Sequence, residues 1–358
     1  MKPQTEQQLS FIPGITGLPH ELARFPRFRY MGSKFRLLPW IHETLAGIGF
    51  ETATDAFSGS GVVSYLLKAM GKQVLANDTL AFPSVLTSAT VANNATRLNA
   101  DDLQFVLASK ARSQSERFIR STYEGIFYTP GELSSLDDLW SGIRQLESPF
   151  KRAVAMAALL RSAIKRQPRG LFTVSDPTRY QDGRRDLQLN ILEHFVEQVA
   201  IYNGAVFSNG LRNSATCKDV FEVQPGSDLV YMDPPYVPLA DDNCYIKRYH
   251  FLEGLACYWE GKEVMMNTKV RKIAKPFTPF SYRHTALEAF DRLFRHFAES
   301  VQVLSYSSNA FPDLETLRSL MKRYKKSVDV LEKTHRYHFG THAAAKRNVV
   351  SEYLIIGS

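Results

Sequence analysis

Residues 52–78 read TATDAFSGSGVVSYLLKAMGKQVLAND, and the fold class follows from them. A short β-like run ends in Asp55, and a turn containing Gly59 and Gly61 leads into an apolar helical segment at 62–71. A second β-like run, KQVLAND, then ends in Asp78. Strand, glycine-rich turn, helix and a strand closing on an acid form the opening half of a doubly wound α/β sheet. Gly59 and Gly61 let the backbone approach a ligand where a Cβ would interfere, and the helix start favours a negative group such as a ligand carboxylate. Asp55 stands where a carboxylate binds an amino group, and Asp78 where one accepts from ribose hydroxyls. The dinucleotide spacing GxGxxG is broken by Ser64, so an adenosyl amino acid suits this turn better than NAD.

On the amino-terminal side, residues 34–48 read as a helix, with Pro39 either in its first turn or dividing it. From about 80 to 213 the pattern is helical and irregular; AVAMAALLRSAIKR at 153–166 is its clearest helix, and an interrupted helical stretch occupies 185–201. A β-like rhythm returns at SDLVYMD (227–233), VQVLSYS (301–307) and VVSEYLII (349–356), with a helix at 285–300. The expected architecture is a Rossmann-like α/β sheet built from both ends of the chain and interrupted by a mostly helical insert. The expected division is an arm at 1–28, a sheet domain at 29–92 and 214–358, and the insert at 93–213.

The chain has 358 residues, 44% hydrophobic and 22% charged, a folded rather than disordered composition. Cys217, Cys244 and Cys257 form no CxxC pattern and no disulfide framework, which fits a reducing compartment. No apolar run reaches membrane-span length and the first residues lack a signal-peptide core, so a cytoplasmic protein with no membrane partner is expected. His338 and His342 stand four apart, but Gly340 between them disfavours a shared helical face, and no metal site is expected. His250 is expected either near a bound ligand polymer or at a helix cap. The net charge of +8 is concentrated: between 150 and 185 nine basic residues face two acids. Such a block suits phosphates. KRYKK at 322–326 reads as an ordinary solvated helix face.

Asp233-Pro234-Pro235-Tyr236 follows the run LVYM, at a strand end where open α/β sheets place their chemistry. Two prolines stiffen the chain and remove two amide donors. The Asp233 carboxylate and the Pro234 carbonyl can together accept both hydrogens of a planar exocyclic amine, and Tyr236 offers a ring to stack on the base that carries it.

With Tyr30-Met31-Gly32-Ser33-Lys34, DAFSGSG, Asp78 and DPPY in this order, the chain resembles the Dam-like (D12 class) adenine-N6-specific DNA methyltransferases, which use S-adenosylmethionine. The resemblance covers roughly 25–85 and 215–310. It implies a class I methyltransferase sheet, with the insert as a target-recognition domain. It implies that Tyr30, Gly32 and Lys34 belong to a cofactor motif, with Lys34 near the amino-acid end, and that Phe57 belongs to the glycine turn. Asp219 and Phe221, in Lys218-Asp219-Val220-Phe221, match the family element that reads the cofactor's adenine. Ala56 stands where the family often has Pro, and LSYSSN at 304–309 resembles only loosely the strand below the active site.

The expected reaction is methylation of the N6 amine of an adenine flipped from duplex DNA, with Asp233 a poor base of ordinary pKa. Lys151, Arg152, Lys165, Arg166, Arg169, Arg184 and Arg185 are the candidate DNA contacts. Methylation of cytosine N4, of RNA or of a protein amide, and a DNA-binding protein that has lost catalysis, are the alternatives. Asp rather than Ser in the tetrad favours adenine, and Asn-Pro-Pro-Tyr is commoner in the RNA and protein enzymes. The resemblance implies a monomer. It leaves open a solitary methylase or the partner of a separately encoded restriction endonuclease, and the target sequence.

Overall fold

A computed structural model describes residues 17–168, 170–175, 183–238, 245–336 and 349–358. Nine described strands, in chain order, are β1 Thr52–Asp55, β2 Gln73–Asp78, β3 Ser214–Cys217, β4 Leu229–Met232, β5 Val237–Pro238, β6 Val301–Ser307, β7 Ala310–Phe311, β8 Val328–Arg336 and β9 Val349–Gly357. Seven of them form one sheet in the order β3-β2-β1-β4-β6-β9-β8. The first five positions run parallel, β9 is antiparallel to both of its neighbours, and β5 pairs with β7 in a separate ribbon. The chain thus enters at the centre with β1, winds outward through β2 and β3, and returns to the other side of β1 with β4. That reversal between β1 and β4 opens a crevice at their carboxyl ends.

The early helices are α1 Leu38–Ala46, α2 Val62–Ala69 and α3 Ala81–Thr87. Pro39 sits in the first turn of α1, where its missing N–H costs nothing, so it does not divide the helix. Helices α1 and α2 cover one sheet face through Ile41, Leu45, Leu66 and Val62. The other face is covered by two late helices, Arg283–His296 and Leu314–Met321. In the first of these, Ala286, Ala289, Phe290, Leu293 and Phe294 are buried at a helical period while charged residues face water. Burial of each such Phe or Leu contributes roughly 1.5–3 kcal/mol.

The insert is helical: α4 Ala100–Ala108, α5 Phe118–Thr122, α6 Pro130–Arg144, α7 Pro149–Lys165, α8 Arg185–Gln188 and α9 Ile191–Ala205. Its core continues into α10 Tyr245–Cys257, which follows the tetrad, and into residues up to Ile273. Reciprocal caps at Asn99, Thr129 and Asn190 fix the starts of α4, α6 and α9. No described helix is long and apolar enough to cross a membrane.

Candidate active site

The turn after β1 is held from both sides. Ala56 N donates to Tyr231 O of β4 at 2.9 Å, and Ser58 N donates to Asn77 O of β2 at 2.8 Å. Gly59 N donates to Asp78 Oδ2 at 2.9 Å, while Leu80 N donates to Asp78 Oδ1 at 2.9 Å. The acid at the end of β2 therefore fixes the glycine turn, a role the sequence reading did not assign to it. Gly59 has φ +50°, and a Cβ there would lie 2.9 Å from Tyr30 Cε1; at Gly61, φ +78°, it would lie 2.9 Å from Thr87 Cγ2. Both positions are conformations and spaces that suit glycine.

Asp55, Asp78 and Asp233 converge on one cleft, with Tyr30, Gly32, Lys34, Phe57, Gly59, Asp219 and Pro235 also in its lining. The space between these groups is about 1200 Å³, open solvent at the mouth included. Burial raises the Asp55 carboxyl to about 7 and the Asp78 carboxyl to about 6. Ser64 donates to Asp55 Oδ2 at 2.5 Å, whereas Oδ1 is buried with no hydrogen-bond partner among the described residues. An orphaned carboxylate oxygen in a cleft is a place for a ligand donor.

Lys34 Nζ lies 2.8 Å from Asp233 Oδ2, and donates to Gly32 O at 3.4 Å. Lys34 is buried and the Asp233 side chain is 21% exposed, so water reaches the pair only from the Asp233 side. Burial pushes the Asp233 carboxyl above the usual range, and the Lys34 ammonium draws it back down. Asp233 is not the carboxylate of ordinary pKa that the sequence suggested, because its burial could not be read from the tetrad.

Beyond the tetrad, Tyr236 meets Tyr306 edge to face at 5.5 Å, and β5 then pairs with β7, which follows the LSYSSN run. Pro234, Tyr236, Phe221 and Gly61 flank the cleft rather than line it. Phe221 stacks on Phe280 at 6.1 Å, and Phe57 meets the same ring edge-on at 5.5 Å. Asp219 Oδ1 accepts from Phe221 N at 2.9 Å, leaving the exposed carboxylate at the cleft edge.

Two contributors escaped the sequence reading. Tyr245 and Tyr249 of α10 stack on Tyr30, at 5.4 and 5.5 Å, and Tyr249 Oη accepts from Met31 N at 2.8 Å. They buttress the YMGSK turn, and no motif spacing signals them. The rim at 275–281, KPFTPFS, is the other. His250, by contrast, is fully buried, bonds Phe172 O at 2.9 Å and has its pKa lowered to about 4 by burial. It is a core residue rather than a DNA neighbour or cap.

The basic block is internally engaged. Lys151 pairs with Asp102 at 2.7 Å, Lys165 with Asp186 at 2.6 Å and Arg166 with Glu132 at 2.6 Å. Arg152 donates to Glu147 O at 2.9 Å, Arg184 to Pro168 O at 2.8 Å, and Arg185 pairs with Glu197. Arg169, Cys244, His338 and His342 lie outside the described residues. Cys217 and Cys257 are free thiols.

Residues 30–305 match the profile of the family described as D12 class N6 adenine-specific DNA methyltransferase. The chain is 31% identical over 330 residues to the type II methyltransferase M2.HphI of Haemophilus parahaemolyticus, covering 88% of this chain and 93% of the relative. It is 25% identical to the modification methylase LlaI of Lactococcus lactis subsp. lactis over 86% of this chain and 51% of the relative. It is likewise 25% identical to the type II methyltransferase M.FokI of Planomicrobium okeanokoites, over 83% and 47%. The chain thus spans about half the length of the last two. A doubly wound sheet with acids at the ends of β1, β2 and β4, matched along most of its length by one profile, identifies the chain as a member of the D12 class of N6 adenine-specific DNA methyltransferases.

Proposed function

We propose that the acidic cleft holds S-adenosylmethionine beside a flipped adenine, and that Asp233, Pro234 and Tyr236 act on that adenine. The observation that carries this reading is the placement of Asp233, directly after β4, against Lys34 in a cleft that also holds Asp55 and Asp78. The cleft's lining has four carboxylates, counting Asp219, and two ammonium groups, Lys34 and Lys275, in a protein of net charge +8. That balance suits a ligand carrying positive charge, and the orphaned Asp55 Oδ1 suits its amino group. Tyr30, Gly32, Gly59 and Gly61 would shape the cradle, Asp78 would meet the ribose, and Asp219, Phe57 and Phe221 would border the adenine end.

When bound, S-adenosylmethionine supplies an electrophilic methyl group on a sulfonium. The protein's part is positioning. Asp233 and the Pro234 carbonyl accept the two amine hydrogens, drawing the nitrogen toward sp3 geometry and freeing its lone pair. Pro235 fixes the turn that aims them. Tyr236, held by Tyr306, stacks on the extruded base. Asp233, with its pKa raised by burial, then takes the proton that leaves the methylated nitrogen more readily than an exposed Asp would.

We further propose that 93–213 recognises the target, bounded by a sheet domain at 29–92 and 214–358. Lys151, Arg152, Lys165, Arg166, Arg169, Arg184 and Arg185 would serve duplex phosphates, with exposed Arg184 and Arg185 foremost. The type II names of two relatives support a role beside a restriction endonuclease; that the chain acts as a monomer in the cytoplasm is part of the same proposal and comes from the sequence reading alone. The test is Asp233→Ala: the variant should bind S-adenosylmethionine within about threefold of the parent yet lose methyl transfer by about 10³-fold. Retained transfer would remove Asp233 from the chemistry.

A further inference from the structure

Residues 262–275, KEVMMNTKVRKIAK, carry five basic residues against one acid, and of these only Lys275, in the cleft lining, has a role above. They form a hairpin: Val264 and Ile273 bridge, Met265 N donates to Lys272 O at 2.7 Å, and Ala274 N donates to Glu263 O at 2.9 Å. The hairpin is firmly rooted. Lys262 Nζ lies 2.7 Å from Oε1 of fully buried Glu253, whose Oε2 accepts from Phe82 N at 3.2 Å. Tyr123 Oη donates to Arg271 O at 3.0 Å, and Val270 and Ile273 are buried.

Its outward side is unlike an ordinary solvated loop. Met265 is 39% and Met266 59% exposed. The chain then runs on to the cleft rim, where Phe277 is 66% exposed and lies flat on Tyr282, ring centroids 5.5 Å apart and planes 11° from parallel. Among the described residues no carboxylate pairs with Lys269, Arg271 or Lys272. In the insert, by contrast, Lys151, Arg166, Lys165 and Arg185 are tied to Asp102, Glu132, Asp186 and Glu197. Cations without internal partners have their charge available for an external polyanion. Large apolar groups held outward on a rigid support beside a base-binding cleft suit contact with stacked bases.

We propose that the hairpin and rim at 262–282 are a duplex-DNA contact surface, with Lys269, Arg271 and Lys272 on phosphates and Met266 and Phe277 against the base stack next to the extruded adenine. The proposal rests on the adenine-methylating reading and adds to it the surface that holds the distorted duplex at the cleft mouth. The charge balance selects a polyanion over a protein partner, and the rim position places that polyanion at the point where a base must leave its helix.

The test measures binding to duplex DNA carrying the mapped methylation site, over a series of salt concentrations, with S-adenosylmethionine affinity recorded for each protein. Lys269→Ala/Arg271→Ala/Lys272→Ala should flatten the log–log salt dependence by about 2–3 units, since each phosphate contact contributes about 0.9. Lys322→Ala/Lys326→Ala is the control for simple charge loss. Lys326 precedes β8, whose first residue pairs with Gly357 at the end of the sheet opposite the cleft, and this variant should leave the slope unchanged. Met266→Ser/Phe277→Ser should keep the salt slope but lower the single-turnover rate by about tenfold. A mismatch at the target adenine should restore much of that rate, because the base then leaves the stack more easily. The proposal is overturned if the triple variant matches the control in slope. It is equally overturned if Met266→Ser/Phe277→Ser methylates matched duplex at the parental rate. In either case wild-type methylation would still stand, so failure here is separate from failure of the adenine reading.

Discussion

The ammonium of Lys34 lies 2.8 Å from Oδ2 of Asp233, joining a residue before the first strand to one just after the fourth. The pair closes the cleft from two distant parts of the chain. It also sets the state of the tetrad carboxylate: burial favours its protonated form and Lys34 opposes this. Lys34→Met should therefore raise the Asp233 pKa further. If the ionised carboxylate accepts the amine hydrogens, the acidic limb of the pH–rate profile moves to higher pH. Activity at neutral pH should fall by about 10²-fold, and Lys34→Arg should recover part of it. A uniform fall with no movement of the limb would limit Lys34 to packing or to contact with the cofactor.

Asp55 and Asp78 give a second pH signature. Their carboxyls stand at about 7 and about 6 in the fold, against an ordinary 3.8, because both are buried. A cationic ligand favours their ionised forms, so its binding should release protons between about pH 6 and pH 7. Calorimetry of S-adenosylmethionine binding in buffers of different ionisation enthalpy measures that release, and Asp55→Asn should reduce it. The sign for stability is opposite. Between pH 4 and 7 the ligand-free fold holds protons that the unfolded chain has lost, so its stability falls as pH rises through that range. Asp55→Asn should flatten that fall in a series of melting curves.

Gly59→Ala tests the cradle. The new Cβ would sit 2.9 Å from the Tyr30 ring at a φ of +50°, with Tyr30 itself wedged against Tyr245 and Tyr249. The strained backbone should cost about 1–2 kcal/mol in stability. S-adenosylmethionine affinity should drop by about tenfold or more, measured by equilibrium dialysis; parental affinity would show that the turn yields.

Arg166 separates structural from DNA-binding use of the insert's charge. It pairs at 2.6 Å with Glu132, whose side chain is 8% exposed and closes the cap of α6. Arg166→Ala leaves that carboxylate short of a partner and should destabilise the fold by about 1–3 kcal/mol. Arg185→Ala breaks an exposed pair and should cost less than about 1 kcal/mol while weakening DNA binding. Denaturant unfolding and DNA titration of the two variants together check this contrast.

The centre of the sheet was legible because its chemistry is local. The run from Thr52 to Asp78 carries strand, turn, helix and strand within 27 residues, and β1, α2 and β2 form where it indicates. Strand β9 and the central strands β4 and β6 were equally plain, since β4 is buried throughout. Strands β3 and β8 carry no such signal. Each lies at a sheet edge, where SATC and VDVLEKTHR need no continuous apolar run. The same limit governs the site. Asp55, Asp78 and Asp233 end strands and announce themselves by position, but Tyr245, Tyr249 and the 275–281 rim reach the cleft only through tertiary packing. The salt bridges of the basic block were also invisible: Arg166 finds Glu132 34 residues away, and Arg29 and Lys165 share Asp186.

The most direct measurement is transfer of labelled methyl from S-adenosylmethionine to unmethylated genomic DNA, followed by digestion to nucleosides and chromatography. Label is expected in N6-methyldeoxyadenosine alone, and none with Asp233→Ala under conditions where that variant still binds S-adenosylmethionine. Label in N4-methyldeoxycytidine, or unlabelled DNA from a wild-type protein that demonstrably binds the cofactor, would contradict it.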